Sequence, residues 1–584
     1  MIPIVTTCRT SPQLTTHSKI TPPRLCNGQF PFHFIHSFPS GRYTMGTHVD
    51  AYPYNLGGFH RQISTTNPAA QKWFDRGLIW CYAFHHEESA HCFEKAIQED
   101  PGCAMAYWGL AFALGPNYNK PWDFFDEKEL KSTLEKINHA NAHATRYAEE
   151  GSTTDVEKAI INAIQSRVPQ GLDEIAFRAC NEAYAEAMAT VYKKFPRDLD
   201  VASLYADSMM NLSAWDLWNL RTGEPSPGAR SLEAKAVLES ALAAEGANTH
   251  LGILHLYIHL MEMSKTPEAA PSHLDILVGD YRRAIASNAD ACLADEKYLA
   301  AHGGNNFYTF YRMHDYHSLI YAAMFAGQYK VSIDTVARME KSLPPSLLQV
   351  ESPPMADWVE NFASVRVHVL VRFGQWKELV AIEFPSDPDL YCVTTAMIHY
   401  GKGIAYAATG DMENATKHRD QLHVSVANIP SSRISGDFPN KANVVLQVAT
   451  AMLDGELEYR KGNYEVAFDH LRTAIDRDDA LTYAEPWPWM MPTRHAYAAL
   501  LLERGRITEA AQAYAADLGF DDTLPRARQH PNNIWALHGY HECLLKLDRN
   551  GEAKMVQQQL RIAQAVADVD VKASCFCRMD CCGT

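Results

Sequence analysis

A glycine-centred turn recurs along this 584-residue chain and limits the folds open to it more than any other feature. Each copy places a glycine after an apolar-periodic helix, followed by an aromatic or apolar residue and, in most copies, a small residue in the next helix. The copies are GQYKVS at 327–332, GQWKEL at 374–379, GDMENA at 410–415, GNYEVA at 462–467 and GRITEA at 505–510. Glycine reaches the left-handed conformation that ends a helix, and a small residue lets the second helix approach closely. The pattern predicts antiparallel helix pairs.

One stretch near the front of the chain fits a 34-residue tetratricopeptide (TPR) register almost completely. The positions that match are Gly77, Trp80, Ser89, Phe93, Ala96 and Pro101. Strand signals are nearly absent from about Thr66 onward, and the glycine turns are spaced more widely than a regular repeat. The sequence therefore predicts an all-α, degenerate TPR-like solenoid over residues 55–570, with a concave inner face where ligands or partners bind.

Composition excludes several classes of partner. The formal net charge of −16 and the pI of about 5.9 work against nucleic acid or an anionic membrane surface as the main partner. No apolar run reaches the roughly 18 residues that suggest a membrane span. The 13 cysteines are mostly scattered singly, which favours a reducing compartment over a disulfide framework. We therefore expect a soluble, cytoplasmic protein.

Both ends of the chain differ from the centre. Residues 1–44 lack acidic side chains and are rich in Ser, Thr and Pro, so we expect a disordered leader, a transit peptide, or a mis-assigned start upstream of Met45. The prolines in this segment disfavour the amphipathic helix of a transit peptide. The tail 571–584 carries two cysteine pairs, Cys575 with Cys577 and Cys581 with Cys582. Thiolates at these positions suit a soft metal, but the C-x₂-C spacing of a zinc site is absent, which favours free thiols.

The helix HLGILHLYIHLME at 250–262 carries unusual polar residues in an apolar context. At 100° per residue, His259 lies roughly 40° from His255, and Glu262 lies roughly 20° to the other side. His250 sits near the helix start. Two imidazoles and a carboxylate on one face match the ligand types of Zn, Fe, Mn or Cu sites. The alternative is that each histidine is an ordinary hydrogen-bonded core residue.

Further histidines extend this candidate set. His86 lies in FHHEE, and His273 lies in PSH, shortly after the helix at 250–262. His314 and His317 share a helix face in YRMHDYH. The chain contains no Gly-rich phosphate loop, no G-x-S-x-G elbow and no H-E-x-x-H motif, which argues against nucleotide, α/β-hydrolase and zincin chemistry. No nucleotide cofactor is expected.

Several long runs resemble a family of bacterial and fungal TPR-domain proteins with His-rich motifs. They are YAFHHEESAHCFEKAIQEDPGCAMAYWGLAFALGPNYNKPW (82–122), HLGILHLYIHLMEMS (250–264), GDYRRAIASNADACLADEKYL (279–299), NFYTFYRMHDYHSLIYAAMFAGQY (306–329) and DLGFDDTLPRARQHPNNIWALHGYHECL (517–544). The resemblance spans roughly residues 55–578. It implies the helical-repeat fold and leaves the reaction open.

The chain departs from that family after the helix matching 250–263. Family members continue for about twenty residues into H-x-x-H-M-P-S/T-H, whereas this chain passes from PEAA directly to PSH, so that His273 matches only the last histidine of that motif. A missed exon and a true deletion both explain the difference. Either one makes a complete set of metal ligands here uncertain.

Two functions follow from these features. The first is a metal-dependent enzyme that oxidises or hydrolyses a small molecule at one or two divalent transition-metal ions. The expected metal ligands are His255, His259, Glu262, His273, His314 and His317, with His86 as a further contributor. The second is a TPR scaffold that binds a protein partner in its concave groove. Unpaired imidazoles inside apolar helices cost free energy, which favours the metal. We expect the first three residues to converge with at least one of the later histidines.

Overall fold

The computed structural model describes residues 52–269, 275–436 and 438–578. Residues from Phe59 onward form one compact unit, and residues 52–58, which belong to a separate unit, contain no helix. The leader 1–44, His273 and the tail from residue 579 lie outside the described residues. What the sequence predicts for those parts therefore stays a prediction.

Helices follow one another along the whole described chain. They are α1 (Pro68–Tyr82), α2 (His86–Glu99), α3 (Ala104–Leu114), α4 (Glu127–Glu150), α5 (Asp155–Ile164), α6 (Glu174–Lys194), α7 (Leu199–Met210), α8 (Ser231–Leu242), α9 (Leu251–Met261), α10 (Asp275–Val278), α11 (Tyr281–His302), α12 (Tyr308–Phe325), α13 (Tyr329–Ser342), α14 (Met355–Val359), α15 (Val365–Arg372), α16 (Trp376–Ala381), α17 (Cys392–Ala408), α18 (Met412–Ala427), α19 (Ala442–Arg460), α20 (Tyr464–Asp479), α21 (Thr493–Glu503), α22 (Ile507–Leu518), α23 (Ile534–Lys546) and α24 (Asn550–Gln564).

The fold predicted from the sequence is confirmed. Most helices pack chiefly against their neighbours in the chain, as in a TPR-like solenoid of helix pairs. Strand pairing within the described residues is limited to isolated bridges in loops. None of the described helices has the length and apolar character needed to cross a membrane.

The five glycine turns have the predicted conformation. Their φ angles all lie in the left-handed region: Gly327 at 69°, Gly374 at 64°, Gly410 at 86°, Gly462 at 85° and Gly505 at 72°. In each turn the residue after the glycine donates its N–H to the carbonyl five residues earlier, at 2.9 Å. This bond satisfies a carbonyl at the helix end and reverses the chain within a few residues.

The turn between α1 and α2 has the same geometry without a glycine. Phe84 occupies the left-handed position with φ of 61°, and His85 N–H donates to the Trp80 carbonyl at 2.9 Å. For a side chain with a Cβ this conformation costs roughly 1–2 kcal/mol. A bulky residue held there is a strained position, of a kind that clusters at functional sites.

The first three helices meet around one aromatic ring. Phe93 on α2 is fully buried, and a Cβ added at Gly77 of α1 or at Gly109 of α3 would overlap its ring. The Ser89 hydroxyl also donates to the Gly77 carbonyl at 2.7 Å. The small residues of the TPR register are therefore required for close contact between neighbouring helices.

The described part of the C-terminal tail corrects one expectation. Cys575 and Cys577 form a disulfide with their Cα atoms 5.2 Å apart, so the prediction of free thiols is wrong for this pair. The tail is packed against the helices, with Phe576 against Gly374 and the Ser574 hydroxyl donating to the His495 carbonyl at 2.8 Å. The tail is thus held in place just before this pair and between its two cysteines.

We predict that Gly109→Ala lowers the free energy of unfolding by about 1–3 kcal/mol, because the added methyl group overpacks the Phe93 ring. Denaturant titration followed by circular dichroism measures this change. Gly551→Ala is the control, because nothing lies within 4 Å of a Cβ there, and its stability should stay equal or rise slightly. Phe93→Leu in the Gly109→Ala background should cost less than the sum of the two single changes. Additive effects would contradict the packing account.

Candidate metal centre

Helix α9 is held close to two other helices. A Cβ at Gly252 would overlap the Ser203 hydroxyl on α7 and the Tyr82 ring on α1, so only glycine permits this approach. His250 is the N-cap of α9, since its Nδ1 accepts the Ile253 N–H at 3.3 Å while its Nε2 lies 3.2 Å from Asp200. One of the three histidines in this helix is therefore explained by helix capping.

The other two histidines point at each other. The Nε2 atoms of His255 and His259 lie 3.1 Å apart. The Nδ1 of His255 lies 2.5 Å from the carbonyl oxygen of Tyr82, the last residue of α1. This carbonyl is one of those that a helix end leaves without an intrahelical partner. His255 therefore satisfies the end of α1 and is held in one orientation by it.

The hydrogen bonds determine where the protons lie. A carbonyl oxygen only accepts, so the Tyr82 contact places a proton on Nδ1 of His255 and leaves a lone pair on its Nε2. The Nδ1 of His259 lies 3.1 Å from a Glu262 oxygen. A protonated Glu262 would donate to Nδ1 of His259 and leave the Nε2–H of His259 to donate to His255. An ionised Glu262 would instead place the His259 proton on Nδ1, so that two Nε2 lone pairs face each other. That arrangement is unfavourable unless a cation or a proton lies between them.

A second carboxyl completes the cluster. Ligand atoms of His259, Glu262 and Glu485 all lie within 4.8 Å of one another. Glu485 comes from the loop between α20 and α21, and its Oε1 accepts the Tyr483 hydroxyl at 2.6 Å. Among the described residues this is the group of three or more His, Cys, Asp and Glu side chains suited to a metal ion.

Burial governs the charges in this cluster. Burial, together with the smaller effect of the neighbouring Glu262 charge, raises the pKa of Glu485 to about 8. Burial also raises the pKa of Glu262 well above its usual range. Burial also lowers the pKa of His259 to about 4. In the absence of a cation, both carboxyls therefore favour their neutral forms near pH 7, and His259 is uncharged.

Aromatic rings surround the two imidazoles. The Phe84 ring lies 4.4 Å from the His255 ring and 5.5 Å from the His259 ring, nearly parallel to the latter. The Tyr118 ring lies 5.4 Å from the His259 ring, and Trp215 packs behind Tyr118. These rings keep the cluster in a region of low dielectric, where charge interactions are strong.

Three other candidate histidines lie in described parts of the chain and outside this cluster, whereas His273 falls outside the described residues. His86 stacks on the far side of Phe84, with ring centroids 6.2 Å apart. His317 is buried against Phe362, at 5.5 Å, and His314 is half-buried on α12. Among the described residues, the group of ligand atoms within 4.8 Å contains the predicted His259 and Glu262 but not His255, His86 or the two α12 histidines. Sequence reasoning missed Glu485, because no spacing rule connects a distant loop to α9.

Comparisons with known proteins add little to this site. No family model matches the chain, and no curated protein matches it, so membership in the bacterial and fungal family stays a prediction. Among solved structures, the chain is similar to the crystal structure of yeast Tom70, with 11% identity and a TM-score of 0.27. That alignment covers 85% of this chain and 90% of the other.

We predict that the metal-free protein loses stability as the pH rises, in part through Glu485. Its pKa rises on folding from 4.5 to about 8, so its contribution is fully present below pH 4.5 and is lost as the pH rises toward 8. The slope is at most about 1.4 kcal/mol per pH unit. Glu485→Gln removes this titration, so its unfolding free energy relative to wild type should rise between pH 5.5 and 8.

Denaturant titration in the presence of a chelator measures this difference. The exposed Glu94 provides the control, because Glu94→Gln should leave the pH dependence parallel to that of wild type. A constant difference in unfolding free energy between Glu485→Gln and wild type across this pH range would show that Glu485 is ionised in the folded protein already at pH 5.5.

Proposed function

We propose that this protein binds a divalent transition metal between His255 and His259 and uses it in the oxidation or hydrolysis of a small molecule. One observation carries the proposal: the two Nε2 atoms lie 3.1 Å apart while both Nδ1 atoms contact oxygens, those of the Tyr82 carbonyl and the Glu262 carboxyl. Metal-ligating histidines usually have this arrangement, in which the second ring nitrogen donates to a carbonyl or carboxylate that fixes the tautomer.

The carboxyls would take different roles. Glu262 contacts Nδ1 of His259, which suits a group that orients a ligand. Glu485, which lies with His259 and Glu262 in the group of ligand atoms within 4.8 Å, is then the available carboxylate ligand. His255 joins this set through its Nε2, 3.1 Å from that of His259, which would give two nitrogens and one oxygen. Zn, Fe and Mn all use such a set, and three protein ligands leave positions for a substrate or water.

A bound metal in such a site supplies Lewis-acid polarisation of an oxygen ligand. The chain itself would contribute the Glu485 carboxylate as the oxygen ligand of that metal. Tyr483 holds this carboxyl in place through its hydroxyl at 2.6 Å. The aromatic rings of Phe84 and Tyr118 would limit access of bulk water.

A TPR-like scaffold that binds a partner protein is the second candidate. The fold itself favours it, because stacked helix pairs commonly act as interaction surfaces. In that case His255 acts only as a cap for the Tyr82 carbonyl, and the cluster is a structural hydrogen-bond network. The two candidates differ in whether the purified protein binds a metal.

We predict that the chelator-treated protein binds about one Co²⁺ or Zn²⁺ ion per chain and that His255→Ala with His259→Ala abolishes saturable binding. Isothermal titration calorimetry gives the stoichiometry, and the visible absorption of Co²⁺ reports nitrogen and oxygen ligation. Glu262→Gln should lower the affinity roughly 10- to 100-fold, as expected for a residue that orients a ligand. His91→Ala is the matched control, since His91 is exposed and lies outside the cluster.

Equal binding by the double variant and wild type would place the metal elsewhere in the chain. Absence of binding in wild type, with the fold intact by circular dichroism, would favour the scaffold. Elemental analysis of the protein as purified identifies the metal among Fe, Zn, Mn and Cu.

A further inference from the structure

A cavity lies beside the candidate metal site but is separate from it, because none of the residues of that site lines the cavity. It has a volume of about 290 Å³, and we refer to it as the α2 cavity because His85, His86 and Glu87 at the start of that helix form one wall. The other walls come from the segment after α3, the start of α12 and residues 347–355. The volume is about ten times that of one water molecule and close to the lower limit for small-molecule sites.

A buried N–H group in this cavity lacks an acceptor. His85 is 2% exposed, and its Nδ1 accepts the Glu88 N–H at 3.3 Å as the cap of α2. Burial lowers the pKa of His85 well below its usual value, so the ring is neutral and its proton lies on Nε2. That Nε2 has no hydrogen-bond partner among the residues that the structure describes. An unsatisfied buried donor is costly, and a ligand that brings an acceptor would remove the cost.

A carboxylate oxygen in the same cavity is also unsatisfied. Lys120 donates to Oε1 of Glu129 at 2.5 Å, whereas Oε2 of Glu129 is buried and has no partner in the described part of the chain. Glu87 accepts the N–H groups of Phe307 and Tyr308 at 3.2 and 3.1 Å. The lining thus carries two acidic side chains, Glu87 and Glu129, against one basic side chain, Lys120.

The aromatic walls already hold one cation. The Nζ of Lys120 lies 4.5 Å from the centre of the Phe125 ring and 4.6 Å from that of the Phe307 ring. Ring faces attract ammonium groups through the quadrupole of the π system. The lining therefore suits a second ammonium group better than an anion, which the two carboxylates would repel.

We propose that the α2 cavity binds a small molecule that carries a protonated amine at one end and a hydrogen-bond acceptor at the other. The amine donates to Oε2 of Glu129, and the acceptor receives the Nε2–H of His85. The apolar surfaces of Leu347, Val350 and Met355 contact the body of the molecule. This proposal does not depend on the metal cluster.

Three molecules of nearly equal size test the charge preference. Tyramine carries an ammonium group, tyrosol replaces it by a hydroxyl, and 4-hydroxyphenylacetate replaces it by a carboxylate. Calorimetry at pH 7 with chelator present should give saturable binding of tyramine with a dissociation constant of about 1 mM or tighter. Tyrosol should bind at least about tenfold more weakly, and the carboxylate more weakly still.

Two variants locate the site. Glu129→Gln should remove most of the preference for tyramine over tyrosol, whereas Glu135→Gln, an exposed position on the same helix, should retain it. Val350 lies at the rim with 37% of its surface exposed, so Val350→Trp should fold normally and weaken all three probes by blocking the cavity. Circular dichroism checks each variant.

Several results would overturn the proposal. One is the absence of saturable tyramine binding up to 10 mM, and another is equal or tighter binding of the carboxylate. Tyramine binding that Val350→Trp leaves unchanged would place the amine site elsewhere. If Glu129→Gln does not fold, the order of the three probes and the Val350→Trp result still decide the question.

Discussion

The left-handed residue between paired helices is the constraint on which this molecule depends. An antiparallel pair requires the chain to reverse within a few residues while the last carbonyls of the first helix remain satisfied. One hydrogen bond of 2.9 Å, from the residue after the turn to the carbonyl five residues earlier, meets both needs in the five glycine turns. Close packing of the pairs then depends on small residues such as Ala415, Ala467 and Ala510, which are fully buried.

The candidate metal site follows from the same need to satisfy the backbone groups at helix ends. In α1, local N–H groups satisfy the carbonyls of Ile79, Trp80 and Cys81, while the Tyr82 carbonyl accepts from His255 on α9. The end of one helix pair thereby orients a histidine on a helix far along the chain. A polar group inside an apolar helix is thus explained by a need of the backbone, and its second ring nitrogen faces His259.

The sequence predicted the parts of this arrangement that depend on neighbouring residues. Spacing along one or two helices is enough to predict the glycine turns, the contact of Gly77 with Phe93, and the shared face of His255 and His259. Glu485 could not be predicted, because the superhelix, and not any periodicity, brings its loop to α9. The same holds for the α2 cavity, whose walls come from four separate segments. The disulfide between Cys575 and Cys577 likewise depends on how the tail packs.

Phe84 places two opposing demands on one position. A glycine there would relax the turn between α1 and α2, as it does in the later turns, yet it would remove the ring that lies against both imidazoles. Water would then reach the carboxyl pair and weaken every charge interaction in the cluster. Substitutions that favour folding at this position therefore act against the site. A variant stabilised in this way would gain stability in the turn, but its centre would be wetter and less selective.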